Sequence, residues 1–393
     1  MATTDLHLFF TKNLLDWHAG HHRPMPWKGE RNPYLVWLSE IILQQTRVEQ
    51  GLPYFERFKA AYPTVTDLAN APEDEVMKLW EGLGYYSRAR NLHAAAKHIA
   101  NELNGIFPAT YEGLRSLKGV GDYTAAAIAS FAYDLPHAVV DGNVYRVLSR
   151  YFGIATPIDT TAGKKLFAAL AQGLLEIWKF GNLEIGGIGK PNFPISQFTD
   201  VNLRFPNFAS GAFNQAIMDF GATQCTPAVP RCHTCPMQPH CEAFKQKKTA
   251  ELPVKSKKLE RRQRFFNYLI INWKGQVFVK KRSEKDIWQN LYDFPLIETD
   301  ALQEGRLFLT KNKTCQTWLG ESDWRLLRAS PPQRQELTHQ RIVTIFWEVE
   351  VGVNFLPKEK NWVAVEREKL ANFAFPKVID LYIKQKFLPL ELF

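Results

Sequence analysis

Four of the five cysteines are packed into seventeen residues with the spacing C-x6-C-x2-C-x5-C; they are Cys225, Cys232, Cys235 and Cys241. Such a set of soft thiolates suits a tetrahedral zinc ion or an iron–sulfur cluster. Zinc more usually takes two C-x2-C pairs, and only one is present here. Cys315 stands alone, so a disulfide framework is not expected. The pattern predicts a structural or redox-sensing metal centre rather than a hydrolytic one.

Two carboxylates stand in surroundings that suit acid chemistry. Glu40 lies between the apolar runs VWLS and IIL, which are expected to raise its pKa and to hold a proton near neutrality. Asp141 lies in VVDGN, where Asn143 is placed to orient it. Carboxylates with separated pKa values are the general means of cleaving a glycosidic bond. The plainer alternatives are a helix-surface Glu in an ion pair and an Asn that only forms a turn.

The stretch 114–143 places Gly119 and Gly121 between an apolar turn and an alanine-rich run. Without a Cβ, the backbone there can turn sharply and approach another surface closely. A helix that begins directly after such a turn points free N–H groups outward, ready for an anion such as a phosphate. The alternative is an ordinary tight turn between two helices.

Helical spacing of apolar residues extends through most of the first 245 residues and predicts an all-α region. The segment 181–208 interrupts it and is expected to be an irregular surface loop. The segments expected to be helical are 6–20, 34–50, 52–61, 73–81, 88–103 and 212–222.

The pattern of apolar residues changes from helical to strand-like spacing after residue 264. Two alternating runs flank Trp273-Lys274-Gly275 and predict a β-hairpin, 341–351 predicts a further strand, and 378–387 predicts a closing helix. This end of the chain is therefore expected to be a separate α+β domain.

The net charge is +9, and its placement favours a polyanionic partner. Residues 245–264 hold nine Lys or Arg and two Glu, a local net charge of +7. No apolar run approaches the roughly 20 residues of a membrane span, and the N-terminus lacks a secretory pattern. A cytoplasmic protein is expected, in the bacterial cytosol or nucleoid.

Together, the glycine hairpin, the aspartate that follows it and the cysteine spacing resemble the helix-hairpin-helix DNA glycosylases of the endonuclease III superfamily. The context SEIILQQTRV around Glu40 resembles the MutY family of adenine DNA glycosylases. The resemblance implies a [4Fe–4S] cluster on the four cysteines. It also implies base excision repair of adenine mispaired with 8-oxoguanine or guanine. Glu40 would protonate the flipped adenine, and Asp141 would stabilise the sugar oxocarbenium.

Position 123 separates two activities within this superfamily. Bifunctional relatives such as endonuclease III carry a lysine there, which forms a Schiff base and cleaves the strand. Here the residue is Tyr123, so the resemblance implies a monofunctional glycosylase that leaves an abasic site. Tyr123 would hydrogen-bond in the sugar pocket.

The resemblance assigns further side chains to adenine and to DNA, although aromatic residues more often belong to a core. Gln45 and Tyr85 would wedge into the duplex, with Thr46 and Leu83 beside them, and Gly119 and Gly121 would approach the phosphates. The adenine pocket would be formed by Arg23, Trp27, Val48 and Gln215.

Residues 276–298 resemble the Nudix hydrolase MutT, which implies an 8-oxoguanine recognition domain. The catalytic Nudix helix, with its run of glutamates, is absent from 299–310. Without those magnesium ligands, recognition without hydrolysis is expected. The family's lesion-reading Phe-Ser-His is Leu337-Thr338-His339 here, and Thr338 keeps the hydroxyl. The plainer alternative for His339 is an exposed strand-edge residue.

The expected architecture is a mainly α N-terminal region with the helix-hairpin-helix glycosylase fold, plus an α+β Nudix-like domain. The expected boundaries are 1–245, a basic linker at 246–263, and 264–393. The expected partner is double-stranded DNA carrying A:8-oxoguanine or A:G mispairs, bound by a monomer without any membrane. The alternatives are an endonuclease III-like enzyme for oxidised pyrimidines, a non-catalytic DNA-binding protein and a Nudix nucleotide hydrolase.

Overall fold

The structure is a computed structural model that describes residues 3–21, 23–180, 210–256, 261–303, 305–320 and 322–387. The loop expected at 181–208 lies outside the described residues, as do residues 257–260 of the basic segment. In the part of the chain that is described, no helix is both long enough and apolar enough to cross a membrane.

Among the described residues up to 245, every regular element is a helix, which confirms the all-α expectation. Short 3-10 turns at Cys232–Thr234 and Gln238–His240 shape the cysteine loop, and a π-helical turn at Phe220–Gln224 precedes it. The helices are α1 Thr3–Gly20, α2 Pro33–Leu43, α3 Val48–Ala61, α4 Val65–Asn70, α5 Glu73–Leu79, α6 Ser87–Glu102, α7 Tyr111–Ser116, α8 Asp122–Tyr133, α9 Gly142–Phe152, α10 Thr161–Phe180, α11 Ser210–Asp219 and α12 Glu242–Lys245.

One expected helix is divided in the structure. The pattern over 34–50 predicts a continuous helix, but α2 ends at Leu43 and α3 begins at Val48. Gln45 between them has a φ of +55°, a left-handed conformation that interrupts a right-handed helix. Apolar periodicity does not detect such a break because both halves still bury an apolar face.

Helix α8 is the centre of the first core. Residues 124–130 of this helix are all buried, and apart from Ile128 their side chains are small, which lets neighbouring helices approach. The surrounding core includes Phe10 of α1, Val147 of α9, Phe167 of α10 and Phe213 of α11. This packing fixes the ends of α2, α9 and α11, from which the candidate site is built.

The described residues of the C-terminal domain form a mixed sheet and three α-helices, which confirms the α+β expectation. The strands are β1 Arg262–Trp273, β2 Gln276–Lys281, β3 Tyr292–Asp293, β4 Leu296–Thr299, β5 Trp324–Ala329, β6 Gln333–Glu336, β7 Gln340–Val351 and β8 Val363–Glu366. The main path of the sheet runs β3-β2-β1-β7-β5, while β4 pairs with β1, β6 with β7, and β8 with β2. The central strands β1 and β7 are parallel, with Tyr268 opposite Phe346, and the other pairs are antiparallel.

The expected hairpin, third strand and closing helix are β1–β2, β7 and α15 Lys377–Lys386. Lys274 and Gly275 both have positive φ, at +49° and +78°, which suits the tight turn between β1 and β2. Two short helices, α13 Leu307–Lys311 and α14 Lys313–Leu319, lie between β4 and β5, and neither contains an Asp or Glu.

The chain forms two compact units. The first contains residues 1–45, 64–66 and 95–258, and the second contains residues 46–63, 67–94 and 259–393. Within the second unit, Lys281 pairs with Asp74 at 2.5 Å, and the Arg90 guanidinium donates to the carbonyl of Gln289 at 2.7 Å. The sheet therefore shares one unit with the helical residues around Tyr85.

Candidate active site and cysteine cavity

Glu40 lies in the last turn of α2 and is half-buried, with Ser39 and Ile41 buried beside it. The helix begins at Pro33, and the side chain of Asn32 accepts the N–H of Tyr34. The pKa of Glu40 is raised to about 7, chiefly by burial; a hydrogen bond with Tyr123 opposes the rise, and the nearby charge of Asp141 adds to it. A carboxyl group with this pKa is partly protonated at neutral pH and can donate a proton.

Asp141 is the N-cap of α9. One carboxylate oxygen, Oδ1, accepts the backbone N–H groups of Asn143 and Val144, each at 2.8 Å, and Oδ2 accepts the Asn143 side-chain amide at 2.7 Å. Burial raises the pKa of Asp141, while these hydrogen bonds and the charge of Arg146 oppose the rise. The cap therefore fixes the direction of the carboxylate and favours its ionised form.

Tyr123, in the first turn of α8, completes this group. Its hydroxyl hydrogen-bonds to Glu40, and burial together with the charges of Glu40 and Asp141 raises its pKa well above the ordinary value. The hydroxyl also contacts Sδ of Met218 on α11 at 3.6 Å. The structure thus brings Glu40, Tyr123 and Asp141 together from three elements, with α11 beside them.

Arg146 connects this group to the cysteine loop. Its guanidinium donates to Oδ1 of Asn143 at 2.8 Å, to the carbonyl of Gly221 at 2.7 Å and to the carbonyl of Cys225 at 2.7 Å. Gly221 permits this approach, because a Cβ there would stand 2.6 Å from Cβ of Asn143. Sequence reasoning did not select Arg146. A signal was available, because an arginine five residues after the N-cap Asp141 lies near the start of the same helix and can reach the groups beside it.

The four clustered cysteines line a single cavity together with Arg150, which lies one turn beyond Arg146 on α9. The Arg150 guanidinium contacts Sγ of Cys225 at 3.5 Å and donates to the carbonyls of Thr226 and Pro227 at 2.7 and 2.8 Å. No disulfide joins the cysteines. Within the described ranges, no three His, Cys, Asp or Glu side chains converge closely enough to hold a single metal ion.

The expected adenine-pocket residues are divided between the units. Arg23, Trp27 and Gln215 are half-buried in the first unit, and Val48 begins α3 in the second. Gln215 lies on α11, three residues before the Met218 that contacts Tyr123, so the two share one side of that helix.

The expected wedge residues have strained backbones. Gln45 and Tyr85 have φ of +55° and +48°, values that non-glycine residues rarely adopt. Gln45 is exposed, as is Tyr85 at 44%, whereas Leu83 is buried. The Arg88 guanidinium donates to the carbonyl of Gly84 at 3.1 Å and so fixes the turn that carries Tyr85.

The expected 8-oxoguanine readers lie in the tight turn between β6 and β7, where the N–H of Leu337 donates to the carbonyl of Gln340 at 2.8 Å. Thr338 is half-buried, and its hydroxyl hydrogen-bonds to the Tyr85 hydroxyl within the second unit. His339 is exposed, and its carbonyl accepts the N–H of Arg262 at 3.1 Å.

The glycine hairpin joins α7 to α8. Gly119 has a φ of +81°, which a residue with a Cβ adopts only with strain, and Gly121 is the N-cap of α8. Both glycines are exposed, so the first N–H groups of α8 can meet an anion.

Comparison with known proteins gives two family matches. Residues 38–171 match the HhH-GPD superfamily of base excision DNA repair proteins, and residues 267–385 match the NUDIX domain. The adenine DNA glycosylase of Buchnera aphidicola subsp. Schizaphis graminum is 36% identical over 294 residues, which are 74% of this chain and 75% of that protein. The adenine DNA glycosylase of Mus musculus is 40% identical over 253 residues, which are 62% of this chain and 43% of that protein.

Among solved structures, a thermostable thymine-DNA glycosylase is similar to this chain with a TM-score of 0.51 and 26% identity. The similarity covers 63% of this chain and 100% of that one.

Proposed function

The chain belongs to the family of adenine DNA glycosylases, and we propose that it removes adenine paired with 8-oxoguanine or guanine in double-stranded DNA. The proposed enzyme acts as a monomer in base excision repair and releases the base without cutting the strand. A cytoplasmic location, in the cytosol or nucleoid, suits an enzyme of chromosomal DNA. The endonuclease III-like alternative is not favoured, because the similar curated proteins are adenine glycosylases.

The single observation that carries this proposal is the grouping of Glu40, Tyr123 and Asp141. An N-glycosidic bond to adenine breaks readily only when the base is protonated and the sugar cation is stabilised. Glu40, with a pKa of about 7, is the proposed donor to N7 of the extruded adenine. Asp141 is the proposed stabiliser, because its cap hydrogen bonds favour a fixed negative charge.

The proposed reaction then proceeds in two steps. The C1′–N9 bond breaks, adenine leaves with the proton from Glu40, and positive charge develops on the sugar beside Asp141. Asp141 stabilises that charge through its field or through a transient covalent bond. Water then adds at C1′, and its proton returns to Glu40, which leaves an abasic site. Asn143 orients Asp141 throughout, since its amide donates to Oδ2.

The remaining predicted residues have roles in recognition. We assign Arg23, Trp27, Val48 and Gln215 to the flipped adenine, and Gln45, Thr46, Leu83 and Tyr85 to the opened duplex. Gly119 and Gly121 would bind phosphates. Thr338 and His339 would read 8-oxoguanine from a NUDIX-like domain whose helices α13 and α14 carry no carboxylate for magnesium. The domain limits 1–245, 246–263 and 264–393 belong to the same proposal.

The proposed experiment measures single-turnover release of adenine from an A:8-oxoguanine duplex, with and without alkali after the reaction. We expect free adenine to form in the single turnover without alkali, and the DNA strand to break only after alkali is added. Tyr123 has no amine, so no Schiff base can form at this position. A thymine glycol duplex is the control and should remain intact. Breakage without alkali, or excision of thymine glycol in place of adenine, would contradict the proposal.

We propose a [4Fe–4S] cluster on Cys225, Cys232, Cys235 and Cys241. The donor set fits, because four free thiols line one cavity and the Arg150 cation contacts one sulfur. When bound, such a cluster supplies a fixed, redox-active link between the loop segments.

Replacement of Cys235 by Ser is expected to lower both stability and iron content. Burial raises the pKa of the Cys235 thiol to about 12, and ligation to iron would keep it deprotonated. Iron analysis, visible absorption and thermal melting of purified protein would measure the loss. Cys315→Ser is the matched control, because Cys315 lies in the other unit and should keep full iron content. Equal iron in both variants would contradict the assignment.

A further inference from the structure

Gln215 is hydrogen-bonded to a buried acid that the reaction above leaves unused. Asp219, the last residue of α11, is 2% exposed and lies one helical turn after Gln215. Its Oδ1 accepts the Nε2 amide of Gln215 at 3.1 Å. Its Oδ2 accepts Nζ of Lys28 at 2.6 Å and contacts Nε2 of His18 at 3.2 Å.

The ionised form of this acid is stabilised in place. Burial alone would raise its pKa, but the hydrogen bonds and charges of His18 and Lys28 hold the pKa of Asp219 below its usual range. An ionised carboxylate only accepts hydrogen bonds. Gln215 must therefore present its NH2 group to Asp219, and its carbonyl oxygen Oε1 is left facing away.

The Asp219 carboxylate also contacts the segment that carries Trp27, a second residue of the expected adenine pocket. Lys28 directly follows Trp27, and its backbone N–H donates to the carbonyl of Met25 at 3.0 Å in a tight turn. The Lys28–Asp219 pair thus ties this turn to the end of α11. Lys28 is 18% exposed at its side chain, so water screens the pair only partly.

We propose that Asp219 is a positioning residue that sets base specificity by fixing the orientation of the Gln215 amide. This inference rests on the proposed adenine glycosylase function. With Oε1 fixed toward the ligand, Gln215 accepts a hydrogen bond from a 6-amino group, which adenine carries. A 6-oxo purine such as hypoxanthine carries a carbonyl oxygen at that position. This oxygen would face the Gln215 oxygen, and two acceptors cannot form a hydrogen bond. The amide of an unconstrained Gln could rotate and accept either base.

The test compares excision of adenine and hypoxanthine, each opposite 8-oxoguanine, by the full-length wild-type protein and by Asp219→Asn. Because the Lys28 ammonium can only donate, the introduced amide keeps its oxygen toward Lys28 and turns its NH2 group toward Gln215, which no longer has to present its own NH2 group there. We expect the adenine-to-hypoxanthine ratio of single-turnover rate constants to fall by about tenfold relative to wild type, the factor of one hydrogen bond. A purely structural role would lower both rates and leave the ratio unchanged, which would overturn the proposal.

A double-mutant cycle tests whether the effect passes through Gln215. In a Gln215→Leu background, Asp219→Asn should cause no further change in the ratio, and a further tenfold change would overturn the proposal. Asp219→Glu retains the charge and should keep a ratio near that of wild type. Asp16→Asn, in an exposed pair with Lys12 on α1, is the matched control and should leave both rates unchanged.

Two further readouts keep the outcomes distinct. If Asp219→Asn does not fold, wild type against Gln215→Leu still decides, because a fixed carbonyl predicts that Leu lowers adenine excision far more than hypoxanthine excision. Equal losses on the two bases would overturn the inference. If wild type releases no adenine at all, the proposed function fails instead, whatever the Asp219 variants do.

Discussion

Replacing Glu40 by Gln is expected to lower the single-turnover rate of adenine release by about 10³-fold. Gln has nearly the same shape, but it cannot transfer a proton to the base. Binding of the mispaired duplex should change little, because the amide adds no charge and removes no phosphate contact. Rapid-quench assays of adenine release and a duplex titration would measure the two effects separately. Retention of more than a tenth of the wild-type rate would remove Glu40 from the acid role.

The pH dependence of the wild-type enzyme gives an independent check on the same residue. Glu40 has a pKa of about 7, so the protonated acid is lost as the pH rises through that value. Adenine release should therefore decline above about pH 7 with the slope of a single proton, and the residual rate of Glu40→Gln should not follow that decline. Product formation under single-turnover conditions, at constant ionic strength, is the measurement.

The same substitution is expected to stabilise the fold at high pH. In the unfolded chain the carboxyl titrates near 4.5, whereas in the folded chain it titrates near 7. The folded state is therefore penalised as the pH rises from the first value to the second, and the full penalty persists above both. Glu40→Gln should raise the free energy of unfolding by about 3 kcal/mol near pH 8 and have no such effect below pH 4.5.

Denaturant unfolding at the two pH values tests that expectation. Glu102→Gln, an exposed residue paired with His98 on α6, is the matched control and should change neither activity nor stability appreciably. If Glu40→Gln loses activity but gains stability, the loss of activity cannot result from a damaged fold. A loss of stability at both pH values would contradict the burial argument.

Replacing Asp141 by Asn is expected to slow adenine release by about 10²- to 10³-fold. Asn is a good N-cap and can still accept the N–H groups of Asn143 and Val144, so α9 should form. The negative charge beside the sugar is lost, however. The new NH2 group also faces the Asn143 amide, whose own oxygen is already bonded to Arg146.

The matched control for this variant is again Asp16→Asn, and circular dichroism with thermal melting verifies the fold. Duplex binding should persist while adenine release is lost. If Asp141→Asn excised adenine at the full rate, the chemistry would lie elsewhere, and a DNA-binding scaffold would become the better description of this chain.

The sequence by itself determined the features that have local causes. The α and α+β halves, the hairpin at Trp273-Lys274-Gly275 and the glycine turn at Gly119 each follow from short-range periodicity or from a backbone angle that glycine favours. The four clustered cysteines could likewise be recognised from their spacing within one short loop. Glu40 could be selected as a candidate because its apolar neighbours are adjacent in sequence and because the context SEIILQQTRV resembles the MutY family.

The tertiary structure decided what depends on distant contacts. Periodicity extended the helix at 34–50 across Gln45, where the backbone is left-handed. The Arg146 contact with Cys225 spans 79 positions, and the Lys28 contact with Asp219 spans 191. Nothing local signals which of the chain's buried acids has a cationic partner. The fold alone brings such residues together, because a buried charge persists only where the surrounding structure supplies its hydrogen bonds.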